Sequence, residues 1–394
     1  MIPKYRKQFN EEFSKEKYDQ VKAILKQKSG LEPAFRISES PMFLTKEFKS
    51  KLLDASDSII DQIKSLPKET LQKAIPDDCR VPNDTDQPHF FTIDFGICKN
   101  ENGEIEPQLI ELQSFPSLYA FQEIFEETFC EVYPFLSEIR NEMPHEQLKN
   151  YLKELIVGKE NPEHAILLEI YPEKQKTVID FLLTEKLLGI KTVCLTQIKK
   201  EGKNLFYEND GTLTEIKRIY NRVIFDELDR IPDLKTEFDF REEVNVIWVT
   251  HPNWFFKISK FLLPFLKHPF VPKSYFLHEF PDSENLKDFV LKPLFSFAGS
   301  GVNLTPTKEI TASIKDPQNY ILQRKVSYEP VFEDINGAFS KAEIRLLYIW
   351  REQDECPILV ENLGRMTKAD MVNVDFNKKD AIWIGSSNAF FAEE

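Results

Sequence analysis

The sequence predicts a mixed α/β (α+β) protein, with a helical opening, a small open sheet in the middle and a strand-rich final third. Three observations carry this. "SKLLDASDSIIDQIKSL" (residues 50–66) spaces apolar residues at helical intervals with charges between them. Residues 164–251 alternate short apolar runs with an amphipathic segment, the pattern of a partly parallel sheet. Beyond Pro252 the chain turns into closely spaced apolar runs of strand length.

Taken in order, residues 1 to about 80 read as helices, a packing or lid element. "HFFTIDFGI" and "PQLIELQSF", joined by "KNENGEIE", form a β-hairpin with a long loop. Residues 117–156 return to helix, rich in Phe and Glu. "HAILLEIY" is a buried strand, and "EKQKTVIDFLLTEKLLG" is an amphipathic helix closed by Gly189. "IKTVCLT" is the next strand, and "KNLFYENDGTLTEIKRIYNRV" reads as a hairpin turning at Asp210-Gly211. "NVIWVTH" is a further strand. A helix over about 254–267 follows, then short strands near 273–278, 288–292, 300–304, 320–324, 341–350 and 356–363.

Composition bounds the function. A chain of 394 residues, 41% hydrophobic and 29% charged, is globular and long enough for two or three modules. Its 33 phenylalanines imply aromatic cores. A net charge of −14 disfavours nucleic acid and anionic membranes as partners, but leaves local phosphate recognition open. Cys79, Cys98, Cys130, Cys194 and Cys356 are odd in number and widely spaced, which fits reduced thiols in a cytoplasmic protein better than a disulfide frame or a zinc site. "MIPKYRKQFNEEF" lacks the apolar stretch of a secretory signal, and "ISKFLLPFLKHPF" is too short and interrupted to span a bilayer. No P-loop, no G-x-G-x-x-G after a strand, no G-x-S-x-G elbow and no paired-histidine metal spacing occurs.

The chemistry-bearing residues stand at strand positions. In "FVLKPLFSFAGSGVNL" (289–304), Lys292 ends an apolar run, and a small-residue turn with Gly299, Ser300 and Gly301 lets backbone N–H groups approach a ligand. A lysine so placed is costly unless it meets an anion, which suggests phosphate; the alternative is an exposed lysine in a plain hairpin. "NYILQRKV" (319–326) is an edge-like strand able to offer backbone groups to an adenine edge. "KAEIRLLYIW" (341–350) sets Glu343 and Arg345 on one face, suited to a polyphosphate and its metal, or else to a cross-strand ion pair. Asp94 lies on one hairpin strand, and Glu111 and Gln113 share a side of the other. Such oxygen donors suit Mg²⁺, the alternative being a polar sheet face.

Together these pieces resemble the ATP-grasp superfamily. Its usual order is a Lys-Pro strand with a phosphate flap, an adenine-binding strand, an acidic-x-Arg strand and a final acidic-x-Asn metal strand. Lys292-Pro293, Ile321–Val326 and Glu343-x-Arg345 match the first three in order, while the metal strand is matched near the N-terminus by Glu111-Leu-Gln113. That arrangement resembles the circularly permuted ATP-grasp enzymes, such as the synthetase domain of glutathionylspermidine synthase and related uncharacterised proteins. The resemblance implies ATP and Mg²⁺ as cofactors. It implies nucleotide contacts from Lys260, Lys292, Ser296, Gly299, Ser300, Gly301, Gln323, Lys325 and Val326, and metal ligation by Asp94, Glu111 and Gln113. Arg345, and with it Arg222 or Arg365, would stabilise transferring charge. Here Gln113 replaces the family's Asn, Thr92 stands where the synthase has an Arg, and the flap carries no charge.

The implied organisation is a helical segment over 1–80, permuted metal-binding strands and helices over 81–157, a pre-ATP-grasp-like α/β domain over 158–252 and a nucleotide-binding domain over 253–394. The implied activity is ligation of a small-molecule or peptide-like acid to an amine through an acyl-phosphate. The rivals are a nucleotide-binding scaffold without ligation, and phosphotransfer without an amine. Gly364-Arg365 and "WIGSSN" (383–388) read as cleft-closing loops or plain turns. The acid, the amine and the oligomeric state are not written in the sequence.

Overall fold

The computed structural model describes residues 2–140, 143–231, 233–295, 300–369 and 381–393. Helix α1 (Pro3–Glu12) starts on a proline, whose missing N–H costs nothing in a first turn. In α2 (Lys15–Ser29) the Ser14 hydroxyl accepts from the Lys17 amide, and Gly30 closes the helix at φ 92°. A short strand, β1 (Met42–Thr45), follows, and Thr45 caps α3 (Lys46–Ser65) by accepting from the Phe48 amide. Phe48, Leu52, Ala55, Ile59 and Ile63 line the buried stripe of α3. After α4 (Lys68–Gln72) come β2 (Phe90–Lys99) and β3 (Ile105–Gln113), the expected hairpin. The Asn100 side chain accepts from the amides of Asn102 (3.0 Å) and Glu104 (2.9 Å) and so shapes its turn.

Helices α5 (Tyr119–Val132) and α6 (His145–Ile156) lead to β4 (Ala165–Glu169), α7 (Val178–Leu188) and β5 (Lys191–Cys194). Gly189 ends α7 at φ 75°, as its position predicts. Next are β6 (Lys199–Glu201), β7 (Asn204–Asn209) and β8 (Thr212–Ile216), an antiparallel meander turning at Asp210-Gly211. The expected hairpin ends there. β9 (Arg218–Asn221) leaves the meander and pairs in parallel with β4. After α8 (Phe225–Asp229), β10 (Ile247–Val249) completes a parallel sheet of order β10-β9-β4-β5.

The helix expected over 254–267 is broken. α9 (Asn253–Lys257) stops early, and Lys260–Phe265 winds as a tighter 3₁₀ turn around Pro264, which cannot donate an α-helical hydrogen bond. β11 (Ser274–Phe276), β12 (Phe289–Pro293), α10 (Lys308–Ser313) and β13 (Tyr320–Arg324) follow, with the three strands in a small antiparallel sheet of order β11-β13-β12. The strand expected at 300–304 reduces to one bridge, Asn303 to Leu291. β14 (Phe332–Glu333), β15 (Phe339–Ile349), β16 (Ile358–Thr367), β17 (Gly385–Ser387) and β18 (Ala389–Ala392) end the described chain. Gly364-Arg365 therefore lies inside β16, and "WIGSSN" supplies β17, so neither is a loop.

The largest sheet runs β17-β16-β15-β2-β3, antiparallel throughout, with β14 beside β15. β1 and β18 pair in parallel, which joins the two ends of the described chain. The phenylalanine-rich core is continuous from α1 to β18 and includes Phe9, Phe43, Phe91, Phe121 and Phe125. The small sheet has a separate core around Phe289, Leu291 and Leu322. The architecture is thus a mixed α+β fold in which a small sheet packs one side on a core of its own and joins the main core through Phe276 and Ile321. Among the described residues no helix is long and apolar enough to cross a membrane, and no disulfide joins the cysteines.

Candidate functional site

Register builds the site. In an antiparallel pair, opposite residues share a face. Asp94 on β2 lies between Arg345 on β15 and Glu111 on β3, and Glu343 on β15 lies opposite Arg365 on β16. The carboxylates and guanidiniums that alternate along four strands thus meet on one sheet face.

Asp94 is completely buried. Arg345 grips it with two parallel bonds, Nε to Oδ1 and Nη2 to Oδ2, both 2.7 Å. Arg365 Nη2 also donates to Asp94 Oδ2 and lies 3.0 Å from Glu343 Oε2. The Tyr328 hydroxyl bonds to Glu343. Lys260 Nζ stands 3.1 Å from Glu111 Oε2, and Arg345 Nη2 stands 3.8 Å from Glu111 Oε1. With its amide oxygen turned inward, Gln113 accepts from Arg345 Nη1 at 2.6 Å and Nη2 at 2.9 Å.

Burial alone would raise the Glu111 carboxyl, but the charges of Lys260, Arg345, Arg365 and Lys292 hold it below the usual carboxylate range. Burial pushes the Glu343 carboxyl up against the pull of Arg365 and the bond from Tyr328.

A β-bulge links this face to the small sheet. The β2–β3 register shifts between Asp94 and Phe95, leaving Ile110 as the extra residue. Its unpaired carbonyl accepts from Lys292 Nζ at 3.1 Å, and Lys292 Nζ also donates to Gln323 Oε1 at 2.5 Å. Gln323 Nε2 in turn donates to the Leu109 carbonyl at 3.0 Å. Buried in this seam, the Lys292 ammonium is pushed down to about 8.

The structure therefore brings together Asp94, Glu111, Gln113, Arg345, Arg365, Lys260, Lys292 and Gln323. Gly301 stays near: at φ 73°, an added Cβ would come within 2.8 Å of Pro293 Cγ, so the backbone crosses close over the Lys-Pro strand end. Ser300 beside it is exposed. Ser296 and Gly299 lie outside the described residues. Lys325 points elsewhere: it is exposed and donates to the Lys287 carbonyl at 2.6 Å, with half-buried Val326 beyond it.

Arg222 does not join the cluster. It follows β9, beside Glu169 at the end of β4, and is buried between the rings of Phe115 (4.4 Å) and Phe181 (5.2 Å). Its Nη2 donates to Thr177 Oγ1 at 3.1 Å, while Nε and Nη1 are buried without a hydrogen-bond acceptor. Burial lifts the Glu169 carboxyl to about 8, with Arg222, 3.8 Å away, pulling the other way.

Sequence reasoning missed Tyr328, an aromatic that bridges Cys98 of β2 outside any named strand. The signal for it lies across the sheet at Gly96: a Cβ there would come within 2.8 Å of Tyr328 Cε1, so a glycine inside a strand marks where the ring packs.

As a site for a metal ion by itself, the predicted donor set does not fit. Asp94 is held by two guanidiniums, Gln113 faces a third-strand guanidinium and Glu111 faces an ammonium. Among the described residues no group of three His, Cys, Asp or Glu side chains is arranged to hold an ion. Four cations (Arg345, Arg365, Lys260, Lys292) surround three carboxylates (Asp94, Glu111, Glu343), a balance that suits an anion.

No family model matches the sequence, and no curated protein matches it. The class that emerges is a mixed α/β fold with a largely buried charged face on its main sheet. Among solved structures the chain is similar to a glutathione synthetase-like effector from Globodera pallida, in apo form, at TM-score 0.57 and 12% identity, with 96% of each chain covered. At that identity the likeness shows a shared fold.

Proposed function

We propose that the protein is an ATP-dependent carboxylate–amine ligase built as a circularly permuted ATP-grasp fold. The observation that carries the reading is the Asp94–Arg345–Arg365–Glu111–Lys260 cluster facing Lys292 of the separate small sheet. The near full-length likeness to a glutathione synthetase-like protein supports a ligase-type fold. In this reading residues 81–157 and 253–394 form the nucleotide-binding core, and 158–252 form the α/β domain beside it.

The phosphates lie between the two sheets, where Lys260 and Lys292 neutralise charge and Gln323 borders the base. A carboxylate oxygen attacks the γ-phosphorus, ADP leaves, and an acyl-phosphate forms. An amine then displaces inorganic phosphate and leaves an amide. Arg345 and Arg365 stabilise the charge that builds on the transferring oxygens.

Arg222 takes a different role from the charge-stabilising one that the resemblance implies. The chain visits β4, β5 and then β9 on the far side of β4, so β4 and β9 flank a topological switch point. Crevices at the carboxyl ends of such strands receive ligands. Arg222 stands at this end, paired with Glu169 at 3.8 Å but with Nε and Nη1 lacking a hydrogen-bond acceptor, which fits the carboxylate of the acid substrate. The partners are small acids and amines, and the setting is cytoplasmic.

A second reading, nucleotide binding without ligation, draws on the commitment of Asp94 and Gln113 to arginine. The discriminating experiment supplies ATP, Mg²⁺, a panel of carboxylic acids and hydroxylamine. Hydroxamate and ADP formation, lost in Arg345→Met and reduced in Arg222→Met, supports the ligase. ATP binding with neither product leaves the scaffold reading standing and removes the ligase.

A further inference from the structure

We propose that the charged face takes a polyphosphate anion directly, with guanidinium and ammonium groups in the place of a divalent metal ion; the proposal rests on the nucleotide reading of this cleft.

Three observations carry it. Each oxygen donor expected to hold a metal already accepts from, or pairs with, a cation: Asp94 from Arg345 and Arg365, Gln113 from Arg345, Glu111 from Lys260. The four cations outnumber the three carboxylates they surround, so a divalent cation would be repelled where a phosphate is attracted. Arg365 Nε is buried without an acceptor, while its side chain remains 29% exposed. The guanidinium thus keeps one N–H without an acceptor beneath a side chain that solvent still reaches, so a ligand that settles against it gains a donor nothing else uses. Its planar fork matches phosphate oxygens in a way a lone ammonium does not.

In this arrangement Asp94 and Glu111 are positioning residues. They hold the cations at one face, and the anion is read by the cations. Magnesium in solution then competes with the site for the ligand, because it neutralises the charge that the arginines recognise.

The test is calorimetric titration of the full chain with inorganic tripolyphosphate and, separately, ATP, each in EDTA and in excess Mg²⁺. Binding in EDTA as tight as or tighter than in Mg²⁺ is the expected result. Gln113→Glu adds a carboxylate beside Arg345 and should weaken EDTA binding about 10-fold, the size of one nearby charge; at a metal site it would instead tighten Mg²⁺-dependent binding. Its far-ultraviolet spectrum checks that it folds. Binding of ATP only in Mg²⁺ overturns this proposal and leaves the nucleotide reading intact. Binding of neither ligand under either condition overturns both. Binding of tripolyphosphate in EDTA without ATP binding upholds the anion site and removes the nucleotide.

Discussion

The buried pair Asp94–Arg345 sets a quantitative test of the cluster. Asp94 has no solvent exposure, and Arg345 meets it through two 2.7 Å bonds. Replacing Arg345 with Met leaves a buried carboxylate short of its main partner, a loss of about 3–5 kcal/mol. Arg365 still holds Oδ2, so the lower end, ~3 kcal/mol, applies. Asp94→Asn should cost a similar amount, because it strands two guanidiniums. The double variant removes both charges and should cost about as much as either single one, giving a coupling energy of ~3 kcal/mol. Urea denaturation of the four proteins at pH 7 measures it. Single costs that simply add would refute the reasoning, since the two residues would then contribute independently of each other.

Three further outcomes follow from the same structure. Burial holds the Lys292 ammonium at about 8, below its ordinary 10.5, so its charged form costs stability fully below pH 8. That cost is relieved as pH climbs from 8 toward 10.5; Lys292→Met should flatten this rise in the urea midpoint while abolishing tripolyphosphate binding. Glu169 is raised from 4.5 to about 8, so stability falls as pH rises through that window. Glu169→Gln should remove the slope and gain about 1–3 kcal/mol at pH 8, read from thermal or urea melts. Gly96→Ala drives a Cβ to 2.8 Å from Tyr328 Cε1 and should cost about 1–3 kcal/mol. The loss should largely vanish in a Tyr328→Ser background, and persistence there would point away from the ring.

The central hairpin and the charged face were legible because they are written with period two. Asp94 on one run, Glu111 and Gln113 on the next, and Glu343 and Arg345 on a third alternate with apolar neighbours, and strand pairing does the rest. Gly364-Arg365 reads from sequence as a cleft-closing loop or a plain turn. In the fold Gly364 lies in a strand, where a Cβ would run into Met42, a residue more than 300 positions away. β1 left no trace: "MFLT" is four residues long and finds its partner near the far end of the chain. The same limit hid the departure of β9, since "RIYN" differs little from the hairpin before it and only pairing with β4 decides its sheet. The commitment of the metal-ligand candidates to arginine was equally out of reach, because Arg345 and Arg365 come from segments distant in sequence and their reach across the face depends on side-chain geometry.

The pairing of β1 with β18 also has a temporal side. About 340 residues separate Thr45 from Ala389, so at roughly 5–20 residues per second the first strand waits on the order of 17–70 s for its neighbour to be synthesised. During that interval Phe43 can pack against Phe9 and Tyr5 while one edge of β1 offers unpaired backbone groups to any nearby chain. Nascent chains stalled before Ala389 should therefore be caught by strand-capturing chaperones through this edge, and released once the last strand has been made.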